Sequence, residues 1–351
     1  MKSYSGLYSQ IYDFSNIYDA YLKARKNKRY KQEILAFSAN LEENLIEIQN
    51  ELIYRSYEPK GYRTFKVFEP KERQIMAAPF SDRVVHHAVC NIIEPLIDKS
   101  LIYHSYACRK NKGTHACMIK TQQFLREISA KSDHEIYCFK GDISKYFASI
   151  NHQILRKLIR RKIRCKDTIT LLDKIINSTA EGINPIGLPL GNLTSQLFAN
   201  LYLNEFDKFI KQEKKMKYYI RYMDDFIVLC DSRQELKQLR KESEIFLNEN
   251  LQLKTNRKTC LFPIKQGIDF IGYRIWKDHC LLRKANVKHI RRTIKKLARD
   301  YLDKKIELKK IEDIVTAWLG HASHADVYFY REKIKNLVNE LKIKETTSGK
   351  I

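Results

Sequence analysis

Two aspartates side by side within an apolar run, Tyr218 to Cys230 reading YYIRYMDDFIVLC, constrain this chain more than any other feature. The run has the aromatic and β-branched content of a β-hairpin, with its turn at Met223-Asp224-Asp225. Such a hairpin presents two carboxylates at its tip. Adjacent anions repel and raise each other's pKa unless something positive sits between them, and a divalent cation supplies that charge. An isolated Asp-Asp pair also suits a solvated turn, but such a turn does not need Tyr222, Met223, Phe226, Ile227 and Val228 around it. A third carboxylate, Asp142, stands near the end of another strand candidate, Glu135 to Ile143. Asp142 and Asp224 have the chemistry to hold two Mg²⁺ ions about 4 Å apart, an arrangement that stabilises attacking and leaving oxygens in phosphoryl transfer. Mg²⁺ prefers carboxylate and water oxygens to nitrogen or sulfur.

The rest of the chain alternates helices with short strands, which predicts a mixed α+β core. Ser15 to Tyr54 reads as two helices, the second with Leu41, Leu45, Ile48 and Leu52 on one face. Arg63 to Ile75 reads as a basic hairpin turning at Glu69-Pro70-Lys71-Glu72-Arg73, and Ser81-Asp82 as the cap of a helix running to Pro95. Residues 182–191 are irregular and open into a helix over Thr194 to Ile210. Another helix covers Glu235 to Asn248, and strand-like segments follow at Lys258 to Phe262 and Phe270 to Trp276. Beyond Arg283 the chain turns helical and basic, with Lys288, Arg291, Arg292, Lys295, Lys296 and Arg299 clustered, so a domain boundary falls near Leu282.

Charge points to the partner. Lys+Arg 65 against Asp+Glu 41 gives a formal charge of +24 on 351 residues, a field strong enough to steer a polyanion. An unspecific basic surface would carry the same charge. The 8 cysteines never fall in CxxC pairs, which removes zinc-ribbon spacing and leaves them as reduced, small core residues. His86-His87 and His321-x-x-His324 have no third ligand at useful spacing. No run of about 18 apolar residues occurs to span a bilayer and the N-terminus lacks an apolar signal region, so a cytoplasmic location without membrane contact is expected.

The segment FKGDISKYFASI resembles the first carboxylate motif of the reverse transcriptases, and RYMDDFIVL resembles their YxDD hairpin, in the family's order and spacing. The likeness runs from about Tyr30 to Phe329 and takes in EPKERQIMAAPFSDRVVHHAV, SYACRKNKGTHA, GLPLGNLTSQ and FIGYRI. It implies a right-hand polymerase fold: fingers over 1–95, a palm with part of the fingers over 96–282, and a helical, basic thumb over 283–351. It also implies that Asp142, Asp224 and Asp225 are catalytic and, with Ile143, contact two Mg²⁺ ions, for which Mn²⁺ can substitute. Template RNA, the RNA/cDNA duplex and dNTPs are the implied partners. Phe147 matches the aromatic gate that collides with a ribose 2′-hydroxyl, and Lys71 and Arg73 match the fingers residues on the triphosphate. Gly191 matches a glycine that lets backbone approach the base pair, with Leu190 and Gln196 beside it in the dNTP pocket. Lys258, or else Lys254, matches the lysine proposed to protonate pyrophosphate. Phe270, Ile271, Gly272 and Tyr273 match the primer grip, and the basic helices beyond Leu282 match a thumb lying along the duplex.

Within the family, Leu188-Pro189-Leu190-Gly191-Asn192-Leu193-Thr194-Ser195-Gln196 replaces the usual Gln-Gly and Ser-Pro with Leu190 and Gln196. This pattern, and WLGHASHAD at 318–326, resemble the reverse transcriptases of diversity-generating retroelements. That resemblance implies error-prone copying at template adenines, mutagenic retrohoming and a pentameric accessory variability protein. A bacterial antiphage-defence enzyme, a group II intron-like enzyme, a non-catalytic RNA-binding scaffold and an RNA-dependent RNA polymerase stay open as alternatives.

Overall fold

Leu45, Ile48 and Leu52 lie buried along the helix Leu41–Ile53, as their spacing predicts. The computed structural model describes residues 4–68, 72–178 and 185–348. The region read as two helices holds three, Phe14–Ala24, Gln32–Ala39 and Leu41–Ile53. Asp13 begins the first by accepting from Ser15 N–H at 2.9 Å.

The chain divides into two compact units. The first comprises Met1–Asn111, Gly141–Phe226 and Lys237–Cys260, and the second Lys112–Lys140, Ile227–Leu236 and Leu261–Ile351. In the first unit, β1 (Arg63–Val67) and β2 (Arg73–Ala77) form the expected antiparallel hairpin, with Val67 opposite Arg73. Glu69, Pro70 and Lys71 lie outside the described residues, as do 182–184 of the irregular segment. The helix after the hairpin is Phe80–Asp98 and continues three residues past Pro95. Asp82 does not cap it. The side chain is buried in the first turn and accepts from Tyr57 Oη at 3.1 Å and Lys60 N–H at 2.8 Å, so it ties down the chain leading to β1. Against Phe80–Asp98 packs the helix Leu193–Lys208, buried on nearly every face.

Four further strands, β3 (Tyr137–Asp142), β4 (Tyr218–Tyr222), β5 (Asp225–Cys230) and β6 (Cys260–Pro263), form a sheet ordered β4-β5-β3-β6. The order places the strand ending in Asp142 beside the strand beginning with Asp225. In the second unit, β7 (Ile268–Phe270), β8 (Tyr273–Ile275) and β9 (Cys280–Leu282) make an antiparallel meander. Its helices Lys284–Leu302, Leu308–Ala322 and Tyr328–Ser348 share a core of Ile290, Ile294, Ile311, Val315 and Ile334. Lys288, Arg291, Arg292, Lys295, Lys296 and Arg299 all stay exposed on the first of these helices. Among the described residues no helix is long and apolar enough to cross a membrane. Of the cysteines, Cys90, Cys117, Cys138 and Cys280 are buried, whereas Cys108 and Cys260 are exposed rather than core residues.

Candidate active site

Strands β4 and β5 leave only Met223 and Asp224 between them, so the hairpin closes through a two-residue turn. Met223 takes φ +57°, the left-handed region that costs a residue with a Cβ roughly 1–2 kcal/mol. Beneath the turn lies Arg221, which strand alternation would permit on the solvent side but which is fully buried. Its guanidinium donates from Nε and Nη2 to the two carboxylate oxygens of Asp207 at 2.7 Å each. From Nη1 it donates to Met223 O at 2.9 Å and Asn200 Oδ1 at 3.2 Å. Tyr219 Oη adds a 2.7 Å bond to Asp207. Sequence reasoning missed this cluster, because Asp207 and Asn200 sit on a helix buried on nearly every face and meet Arg221 only through tertiary packing.

Asp142 reaches the turn because of the residue before it. A Cβ on Gly141 would stand 2.0 Å from the Phe226 ring, so the bare backbone lets that buried ring lie over β3 beside β5. The Asp142 carbonyl accepts from Asn256 N–H at 2.7 Å, and Ser144 N–H donates to Lys254 O at 2.8 Å. These bonds form the bridge between Ile143 and Thr255 and use neither polar group of Ile143. Burial lifts the Asp224 carboxyl to about 6, the negative charges of Asp225 and Asp142 add to the rise, and Arg73 opposes it. Electrostatically, then, the three carboxylates and Arg73 form one neighbourhood.

Coulombic reach exceeds ligation distance. Among the described residues no three His, Cys, Asp or Glu side chains gather closely enough to enclose a metal ion. The donors are nonetheless all oxygen and carry mutual repulsion that a cation relieves. Mg²⁺ is commonly held by one or two carboxylates with phosphates and water completing its shell, and this donor set fits that mode.

Arg73 opens β2, while Lys71 lies outside the described residues. Phe147 is half-buried on the short helix Tyr146–Ser149, its ring edge-on to Tyr146 at 5.6 Å, and its carbonyl accepts from Leu188 N–H at 2.8 Å. That bond ties it to the segment carrying Leu190 and Gly191. Gly191 stands beside β2, where a Cβ would meet Ile75 at an ordinary 3.7 Å. Its φ of +117° is therefore the reason for glycine within the protein, rather than a clash. Gln196 lies in the first turn of Leu193–Lys208. Lys258 is exposed in a turn rather than a strand, and Lys254 is exposed on the segment bridged to Ser144.

In the second unit, Phe270 to Tyr273 forms not one strand but the tip of the β7–β8 hairpin. Ile271 and Gly272 turn it at φ +47° and +95°, with Phe270 and Tyr273 buried on either side. Tyr273 Oη is 3.0 Å from His321 Nδ1. His115, from a helix beginning at Thr114, stacks on His324 with ring centroids 3.5 Å apart and lies 6.1 Å from His321. This third histidine was not evident from spacing, since it comes from far upstream.

An α+β domain with a carboxylate-tipped hairpin, set beside a strand ending in a third carboxylate, has the palm arrangement of a nucleotidyl-transferring polymerase. The chain belongs to the reverse transcriptases: the family model described as reverse transcriptase (RNA-dependent DNA polymerase) matches residues 65–275, which makes the matched domain an RNA-directed DNA polymerase. Protein YkfC of Escherichia coli K12 is 25% identical over 270 residues, covering 65% of this chain and 70% of that protein. The group II intron-encoded protein LtrA of Lactococcus lactis is 22% identical over 353 residues, covering 77% of this chain and 57% of its own length. The chain thus spans little more than half of that intron-encoded relative. Among solved structures, telomerase from Candida albicans with a telomeric RNA fragment superposes with a TM-score of 0.50 at 10% identity. That match covers 83% of this chain and 61% of the telomerase, and is a likeness of fold.

Proposed function

We propose that this chain copies a template RNA into cDNA with Asp142, Asp224 and Asp225 as the metal-binding carboxylates, and that it serves a diversity-generating retroelement. The observation that carries the first part is the joint electrostatic neighbourhood of the three carboxylates, reached from two separate strands. Asp142, Asp224, Asp225 and the Ile143 carbonyl would hold divalent Mg²⁺, or Mn²⁺ in its place, and the ions would supply the charge that stabilises attacking and leaving oxygens. The protein groups orient the reactants. Arg73 binds the triphosphate, a role the sequence also assigns to Lys71, Phe147 rejects a ribose 2′-hydroxyl, and Lys258 or Lys254 holds a proton for pyrophosphate. Gly191, Leu190 and Gln196 line the nucleotide, while Phe270, Ile271, Gly272 and Tyr273 seat the primer end.

The second part rests on Leu190, Gln196 and the WLGHASHAD segment. A glutamine amide at position 190 would hydrogen-bond the nucleotide, whereas leucine offers contact alone, so discrimination leans on shape and base pairing. The template RNA, the RNA/cDNA duplex and a pentameric accessory protein are the proposed partners. Sequencing cDNA made from the native flanking RNA tests this reading: errors concentrated opposite adenine support it, and evenly low errors overturn it. Leu190→Gln is expected to lower misincorporation opposite adenine in primer extension by about tenfold. The similarity to LtrA favours a second reading, a group II intron-like enzyme, which predicts faithful copying at adenine.

A further inference from the structure

The fully buried pair Arg221–Asp207 raises a question that stability does not answer. Replacing a buried ion pair by apolar residues of similar volume is often neutral or stabilising, so such a pair needs a reason other than strength. Its geometry supplies one. Asp207 and Tyr219 together fix the guanidinium, with Asp207 taking two bonds of 2.7 Å from it and a third of 2.7 Å from Tyr219 Oη. So fixed, Arg221 directs Nη1, which carries two N–H groups, at Asn200 Oδ1 and at the carbonyl of Met223. The strand backbone is fixed as well, since Arg221 N–H donates to His104 O and Arg221 O accepts from Tyr106 N–H, both at 3.0 Å. Met223 is the residue held at φ +57° immediately before Asp224 and Asp225. A non-glycine residue persists in that conformation when its surroundings over-determine it, and such strain gathers where side chains must be aimed.

We infer that Arg221 is a positioning residue: through the Met223 carbonyl it sets the turn that aims Asp224 and Asp225, with Asp207, Tyr219 and Asn200 holding it in place. This rests on the functional reading above, in which those two aspartates bind the metal. Asp207 and Asn200 both belong to the helix Leu193–Lys208, whose first turn carries Gln196 one turn before Asn200. The same helix therefore registers the proposed nucleotide pocket against the carboxylate turn.

Two variants test it. Arg221→Lys keeps a cation against Asp207 and drops the forked reach to Met223 and Asn200. The triple variant Arg221→Met, Asp207→Leu, Tyr219→Phe removes charge and hydroxyl together while keeping bulk. Each is compared with wild type and Asp224→Ala for cooperative melting, for steady-state dNTP incorporation on primed RNA, and for Mn²⁺ binding followed by the resonance of free Mn²⁺. The expected result is a folded protein with kcat lowered roughly 10- to 100-fold, dNTP KM within about threefold, and weaker Mn²⁺ binding by severalfold. Either variant folded with kcat and Mn²⁺ binding within about twofold of wild type would overturn the inference. Failure of both to melt cooperatively assigns the cluster to stability and overturns it as well. Wild-type incorporation that survives Asp224→Ala sinks the functional reading itself, a separate outcome.

Discussion

Asp224 is where the proposed chemistry and the stability of this protein conflict. Its carboxyl sits at about 6 through burial and the neighbouring anions, above the ordinary 3.8, so the folded chain binds the proton more tightly than the unfolded one. Without metal, this group's contribution is therefore full below about pH 4 and declines as pH rises through 6, by about 3 kcal/mol at most. Asp224→Asn removes the penalty. In chelator at neutral pH that variant is expected to unfold later than wild type, by about 1–3 kcal/mol in a urea titration, while losing incorporation. An unchanged or earlier midpoint would contradict the repulsion. Gly141 is the second decisive residue. Gly141→Ala drives a methyl into the Phe226 ring and is expected to cost about 1–3 kcal/mol, with a fall in kcat because β3 carries Asp142. Melting and single-nucleotide incorporation read the two effects separately.

At the scale of elements, what the sequence discloses is periodicity and turn chemistry. The β4–β5 hairpin was legible because β-branched and aromatic residues flank the two aspartates, and Leu193–Lys208 because a Gly-Pro-rich segment opens into it. The β7–β8 hairpin was not, since Ile271 supplies half of a turn that ordinarily draws on Gly or Asn. Asp82 has the composition of a cap and serves as a buried acceptor instead, a choice made by tertiary contacts with Tyr57 and Lys60. The Arg221 cluster was hidden for the same reason, because its partners are brought together by packing. The helix Lys284–Leu302 was legible in its charge, whereas its buried face of Val287, Ile290 and Ile294, opposite the basic residues, emerges from the structure. Changing Lys288, Arg291, Lys295 and Arg299 to alanine is expected to weaken binding to an RNA/DNA duplex uniformly across sequences. The slope of log affinity against log salt should fall by roughly 0.9 for each phosphate that is no longer neutralised. A slope equal to that of wild type would remove this helix from the nucleic-acid surface.

For the molecule as a whole, a buried histidine predicts acid sensitivity. His86 is 2% exposed, and neither ring nitrogen has a hydrogen-bond partner among the described residues. Burial holds it at about 4, below the ordinary 6.5, so between those values the unfolded chain takes up the proton first. Its contribution is full above pH 6.5 and is lost as pH falls toward 4, by about 3 kcal/mol. His86→Leu should flatten the fall of the urea midpoint over that window, and an identical fall would exclude His86 as its source. The +24 charge and the family fold leave one claim at the centre, that Asp142, Asp224 and Asp225 act together on a primer end. The most direct measurement is single-turnover incorporation of a labelled dNTP on a primed RNA with Mg²⁺, for wild type and for Asp142→Asn, Asp224→Asn and Asp225→Asn. Incorporation by wild type, reduced by at least about 1,000-fold in each folded variant, is the predicted result. Incorporation that persists near the wild-type rate in any one of them would contradict a shared centre.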